Sequence, residues 1–93
     1  MKYELYPDVV LNTICGEQFL IAAGKARGRV PYIEGITKPG AYFWTLLESG
    51  MDIDDIIKKA SEDYNTPIDK ASEAFWKFAR SLEAKGYLSF NEN

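Results

Sequence analysis

Cys15 is the only thiol in the chain, and no histidine stands beside it or anywhere else. The commonest general base and the commonest transition-metal ligand are therefore missing. One thiol builds neither a zinc site nor an internal disulfide, and without a base it has no conventional activation. Asp54 and Asp55 open a helical pattern with Lys58 and Lys59 one turn on. That is the pattern of dipole partners and i,i+4 ion pairs. In Gly24-Lys25-Ala26-Arg27-Gly28 the glycines are too close together for a phosphate-cradling loop, and GxGxxG, GxxxxGKS/T and HExxH do not occur. These residue types argue against an enzyme and imply neither a cofactor nor a metal.

What they offer instead is surface for another chain. On a helical wheel Trp76 falls about 100° from Phe75, off the apolar stripe, with Ser72, Ala79, Arg80 and Glu83 on the same flank. Small residues around an indole make a shallow slot, and Trp and Arg are enriched among binding hot spots. Trp76 could equally widen the core face against a sheet; residue types leave both readings open. Val30-Pro31-Tyr32-Ile33-Glu34-Gly35-Ile36 reads as a strand, and Pro31 confines it to a sheet edge. An edge leaves N–H and C=O groups that template an extended guest. A second proline, at Tyr32, is expected to remove a further donor.

These residues need a scaffold to hold them. The 93 residues, 46% hydrophobic and 27% charged, suit one domain over 1–93 that buries roughly 60–65% of its unfolded surface. The longest apolar run, Phe19 to Ala23, is far short of the roughly 18 residues that span a bilayer. The N-terminus lacks the order of a secretory signal. A lone cysteine suits a reducing compartment, so a cytoplasmic protein with no membrane partner is expected.

Asp8 to Ile14 and Gln18 to Ala23 are strand-like, joined through Cys15-Gly16-Glu17 with Gly16 at positive φ. Three helices follow the third strand. Thr37 caps the first, beside Pro39, and Gly50 ends it. Asp52 caps the second, whose apolar face is Ile53, Ile56, Ile57, Ala60 and Tyr64. Thr66 caps the third, which carries Ile68, Ala71, Phe75, Phe78 and Leu82 and closes at Gly86. Tyr87 to Phe90 is an apolar tail that packs back on the domain. The order β-β-β-α-α-α gives an α+β, winged helix-turn-helix-like domain with a three-stranded antiparallel sheet.

Such a domain suggests a DNA-binding regulator as an alternative. Its third helix mixes Lys70, Lys77, Arg80 and Lys85 with Asp69, Glu73 and Glu83, and the net charge is −3. A polyanion is poorly matched by that balance, although Lys25, Arg27 and Arg29 form one basic loop. The residues favour no nucleic acid and a peptide partner.

Several stretches resemble the pyrroloquinoline quinone biosynthesis protein D (PqqD) family, recognition elements for ribosomally made, modified peptides. They are Pro7-Asp8-Val9-Val10-Leu11, the run from Ile36 to Gly50 with Tyr42-Phe43-Trp44 and Leu47, Asp52-Ile53-Asp54-Asp55-Ile56, and Phe78, Leu82, Gly86, Tyr87 and Leu88. The similarity extends from about Tyr6 to Phe90. Ile36-Thr37 departs from the family's Leu-Asn, and Pro31 removes one donor to a guest.

The resemblance implies that a precursor's leader peptide adds to the third strand and lies against the third helix. By position the strand is Val30, Tyr32, Ile33 and Glu34, and the wall is Ser72, Phe75, Trp76, Ala79, Arg80 and Glu83. Arg27, Arg29 and Arg80 are candidates to read acidic leader residues. A dissociation constant in the micromolar range, about −8 kcal/mol, is expected. The resemblance also implies a modifying enzyme as partner, often a radical S-adenosylmethionine (SAM) protein that holds its own iron–sulfur cluster. An exposed edge could also pair with its own copy, giving a homodimer.

Overall fold

Cys15 and Gly16 both adopt left-handed backbone conformations, at φ 52° and 80°. The first hairpin therefore turns through two residues, not the three expected, because paired positive φ values match the twist of its strands. Ile14 lies opposite Glu17, and the pairing runs to Val9 opposite Ala22. The computed structural model describes residues 2–91. Its strands are β1 (Lys2–Leu5), β2 (Val9–Ile14), β3 (Glu17–Ala22), β4 (Ile33–Ile36) and β5 (Leu88–Asn91). Its helices are α1 (Lys38–Glu48), α2 (Ile53–Asp63) and α3 (Ile68–Lys85). The architecture is α+β and winged helix-turn-helix-like, with β2, β3 and β4 forming an antiparallel three-stranded sheet in that order.

A short 3-10 turn, Gly24–Ala26, leads out of β3. The Asp8 carboxylate anchors it by accepting from the Lys25 N–H at 2.9 Å. The third strand begins at Ile33 rather than Val30. Val30 is instead core, 7% exposed, and Pro31 interrupts the ladder beyond it. β4 then pairs with β3 from Ile33 opposite Ile21 to Ile36 opposite Gln18.

Thr37 caps α1 as its type implies, with Oγ1 accepting from the Gly40 N–H at 3.1 Å. Asp52 occupies the cap position of α2, but only its carbonyl works there, accepting from Ile56 at 2.9 Å. Thr66 is not the cap of α3. Its carbonyl accepts from the Ser61 hydroxyl and its N–H donates to the Ser61 carbonyl, which binds it into the turn and leaves the cap position to Pro67. Gly86, at φ 89°, closes α3 in the left-handed conformation that glycine favours.

A second sheet was not foreseen: β1 pairs antiparallel with β5, Leu5 opposite Leu88 and Lys2 opposite Asn91. Tyr3 locks it to the helices by donating to the carbonyls of Met51 at 2.7 Å and Leu47 at 3.1 Å. Leu20, Trp44, Phe75, Leu82 and Tyr87 fill the core between the three-stranded sheet and the helices. Ile68 and Tyr64, expected on apolar faces, are 56% and 50% exposed because each lies at a helix end beyond the packed turns. Among the described residues no helix is long and apolar enough to cross a membrane.

Burial raises the pKa of Tyr3 and Tyr87 above 10.0, and the charges of Asp52 and Glu34 respectively add to the effect. The folded state then holds these protons more tightly than the unfolded chain. Above pH 10 the unfolded chain releases them first, and stability falls as pH rises. A lower urea midpoint at about pH 11 than at about pH 9, with a smaller drop in Tyr87→Phe, is the expected result.

Candidate functional site

An antiparallel strand bonds each neighbour through alternate residues. The Ala22 N–H donates to the Tyr32 carbonyl at 2.8 Å, and that bond sets the parity of β4. Tyr32, Glu34 and Ile36 face β3, whereas the N–H and C=O of Ile33 and Gly35 point away from it. Among the described residues no strand pairs with that outer border. Pro31 shares the outward parity but has no N–H, and its carbonyl accepts from the Tyr87 hydroxyl at 2.8 Å. Tyr32 bonds β3 through its carbonyl, which a proline would keep, and its N–H has the inward parity. A proline there removes no donor that faces a guest, which corrects the expectation above; Ile33 is the position that tests the border.

Side chains follow the same alternation. Glu34 lies opposite the fully buried Leu20, on the helix-facing side of the sheet, and its carboxylate pairs with the Lys85 ammonium of α3. The flank of α3 that carries Lys85 also carries Phe78 and Ser81, spaced for one face of a helix. α1 closes on this flank at Gly40, where a Cβ would lie 2.8 Å from the Phe78 ring. Between them is an open cavity of about 370 Å³, lined by Thr37, Gly40, Ala74, Lys77, Phe78 and Ser81 among others. A free strand border thus runs beside an apolar groove with lysines at its rim.

The wall expected from sequence does not form one surface with this border. Phe75 and Ala79 are fully buried, with no side-chain surface exposed. Trp76 lies about 180° round α3 from Lys85, on the far flank. There its ring packs 5.4 Å from Phe90 of β5 and 5.2 Å from Phe75. Arg80 stacks over Trp76 at 5.0 Å and over Phe90 at 5.2 Å, while pairing with Glu83 at 2.9 Å. Ser72 lies half-buried on the same side of the helix. Arg27 stacks on Tyr32 at 5.1 Å, and Arg29 is exposed in the loop before β4. Of the strand residues, Ile33 and Glu34 lie in β4, Tyr32 precedes it, and Val30 is buried. Phe78, Ser81, Lys77 and Lys85 were missed as a group. Their signal was a second stripe on α3, with the small residues Ala74 and Ser81 around an aromatic.

No protein-family model and no curated protein matches the sequence. A solved structure does match in three dimensions: TbiB1 in complex with the TbiA(beta) leader peptide. The TM-score is 0.75 over 100% of both chains. The fold is similar to that of TbiB1. Sequence identity with TbiB1 is 22%, so the likeness is one of fold, and it takes in both the sheet and α3.

Trp76 on its far flank is a packing residue in this geometry. Trp76→Ala is expected to lower stability by about 2 kcal/mol, read as a fall in the urea midpoint. An unchanged midpoint would contradict the packing role.

Proposed function

We propose that this protein is a non-catalytic adaptor that binds the leader of a ribosomally made precursor peptide by strand addition to β4. The observation that carries the reading is the unpaired border at Ile33 and Gly35 beside the Phe78–Lys85 flank of α3. The fold it shares with TbiB1, a protein solved with a leader peptide, supports it. So does the PqqD-like pattern in the sequence.

Main-chain bonds from Ile33 and Gly35 set the guest's register at about 1 kcal/mol net each. Affinity comes from side chains lowered into the groove, each worth roughly 2–3 kcal/mol when fully buried. Guest side chains on the face of Glu34 and Ile36 point toward Phe78 and Ser81. Lys77, on the rim of the cavity, favours acidic neighbours. The adaptor then holds its guest close to a modifying enzyme, of the radical SAM class in the family it resembles, and raises the local substrate concentration without doing chemistry.

The experiment is selection of a random-peptide phage library on the protein, followed by titration of a recovered peptide. Ile33→Pro should cut affinity more than tenfold with the urea midpoint unchanged, because the lost N–H bonds nothing in the fold. Trp76→Ala should leave affinity within about twofold. Equal binding to Ile33→Pro, or instead a steeply salt-dependent affinity for duplex DNA, would overturn the reading.

A further inference from the structure

The groove continues past Phe78. A second cavity of about 340 Å³ lies farther along α3 and shares Pro39, Phe43 and Ala74 with the first. Its own residues include Tyr64, Thr66 and Lys70, over a floor of Ala60 and Ala71 that is 2% and 3% exposed. Small residues at Ala71 and Ala74 leave the space open, and Tyr64 stands as its half-exposed wall. That wall is braced: the Tyr64 ring meets Tyr42 edge-on at 5.1 Å, and the Tyr42 hydroxyl donates to Asp63 at 2.6 Å. Among the described residues no acid lines either cavity, although acids outnumber bases fourteen to eleven in the chain. Lys70 and Lys77 stand two helical turns apart along the rim.

Direction follows from β4. It runs from Ile33 toward Thr37, so an antiparallel guest has its N-terminal end at Thr37, where the first cavity opens. From Phe78 back to Lys70 is about 12 Å along a helix, roughly four residues of extended chain.

We propose that this second cavity is a subsite for an aromatic or branched aliphatic side chain of the same peptide, about four residues upstream of its strand-paired stretch, with acidic neighbours facing Lys70 and Lys77. The proposal rests on strand addition at β4 and extends it. Continuity of the two cavities and the unopposed lysines identify the occupant as an upstream peptide segment rather than a separate ligand.

The probe is a library-selected peptide that binds the wild-type protein, compared with a version truncated to its strand-paired stretch. Truncation should weaken binding about fivefold to tenfold. Tyr64→Ala should weaken the full peptide by a similar factor and leave the truncated one unchanged, which also shows that the variant is folded. Lys70→Glu should act in the same direction on the full peptide alone. Ile33→Pro should weaken the full and the truncated peptide by the same factor, more than tenfold, so failure of strand addition is distinguishable from failure of the subsite. Equal affinity of full and truncated peptides, equal loss for both in Tyr64→Ala, or an anchor downstream of the paired stretch would overturn the proposal.

Discussion

The bond from the Tyr87 hydroxyl to the Pro31 carbonyl joins the two halves of the site. Gly86 turns the chain sharply out of α3, and that turn drops the Tyr87 ring into the core, where no part of it is exposed. A buried phenol must find an acceptor, and Pro31 supplies one that no ladder bond uses. The loop ahead of β4 is thereby tied to the C-terminal end of α3, with Val30 packed beside Gly86. Strand and helix are held together at that end by Tyr87 and at the other by Phe78 against Gly40. The groove between them is consequently built into the fold rather than formed by a guest.

The border stays open for physical reasons that also bear on self-association. β1 and β5 pair with each other and do not extend the larger sheet. A second copy meets obstacles in each symmetric register. Pairing about Glu34 sets two like carboxylates opposite one another. Pairing about Ile33 sets Gly35 against Pro31, which has no N–H. Pairing about Gly35 reaches Thr37, where the chain already turns into α1. A guest without an acid opposite Glu34 meets none of these obstacles, so the same features that discourage a homodimer leave hetero-pairing open.

Features set by neighbours in sequence were legible in the sequence. The positive φ at Gly16, the Thr37 cap and the Gly86 terminus each depend on a few adjacent residues. β1 and β5 were not legible, because four-residue strands at opposite ends of the chain are defined only by their pairing. The surroundings of Trp76 depend on that pairing. Residue types leave the indole open to a slot or a core contact, and only β5 brings Phe90 over it, on the flank away from Lys85. Phe78 was hidden for the opposite reason: its spacing fits the core stripe, and only the approach of α1 at Gly40 shows that it also borders a groove. Thr66 illustrates a local ambiguity, since a threonine before a proline suits a cap or a turn, and Ser61 decides for the turn.

Charge placement completes the argument. Glu34 is the one acid on the helix-facing side of β4, and alone it would repel the acidic guest that Lys77 favours. Its pairing with Lys85 neutralises that charge where a guest strand passes, at the cost of Lys85 as a free cation. Lys77 and Lys70 are left to face the guest farther along α3, away from the paired border. Backbone pairing, which is blind to side chains, can then fix register at Ile33 and Gly35 while discrimination falls to the groove. With Arg80 held by Glu83, Trp76 and Phe90, and Lys85 by Glu34, two of the four cations on α3 are engaged within the protein. Those that remain are too few and too far apart to track a phosphate backbone, whereas one or two lysines beside apolar cavities suit a short acidic and apolar peptide.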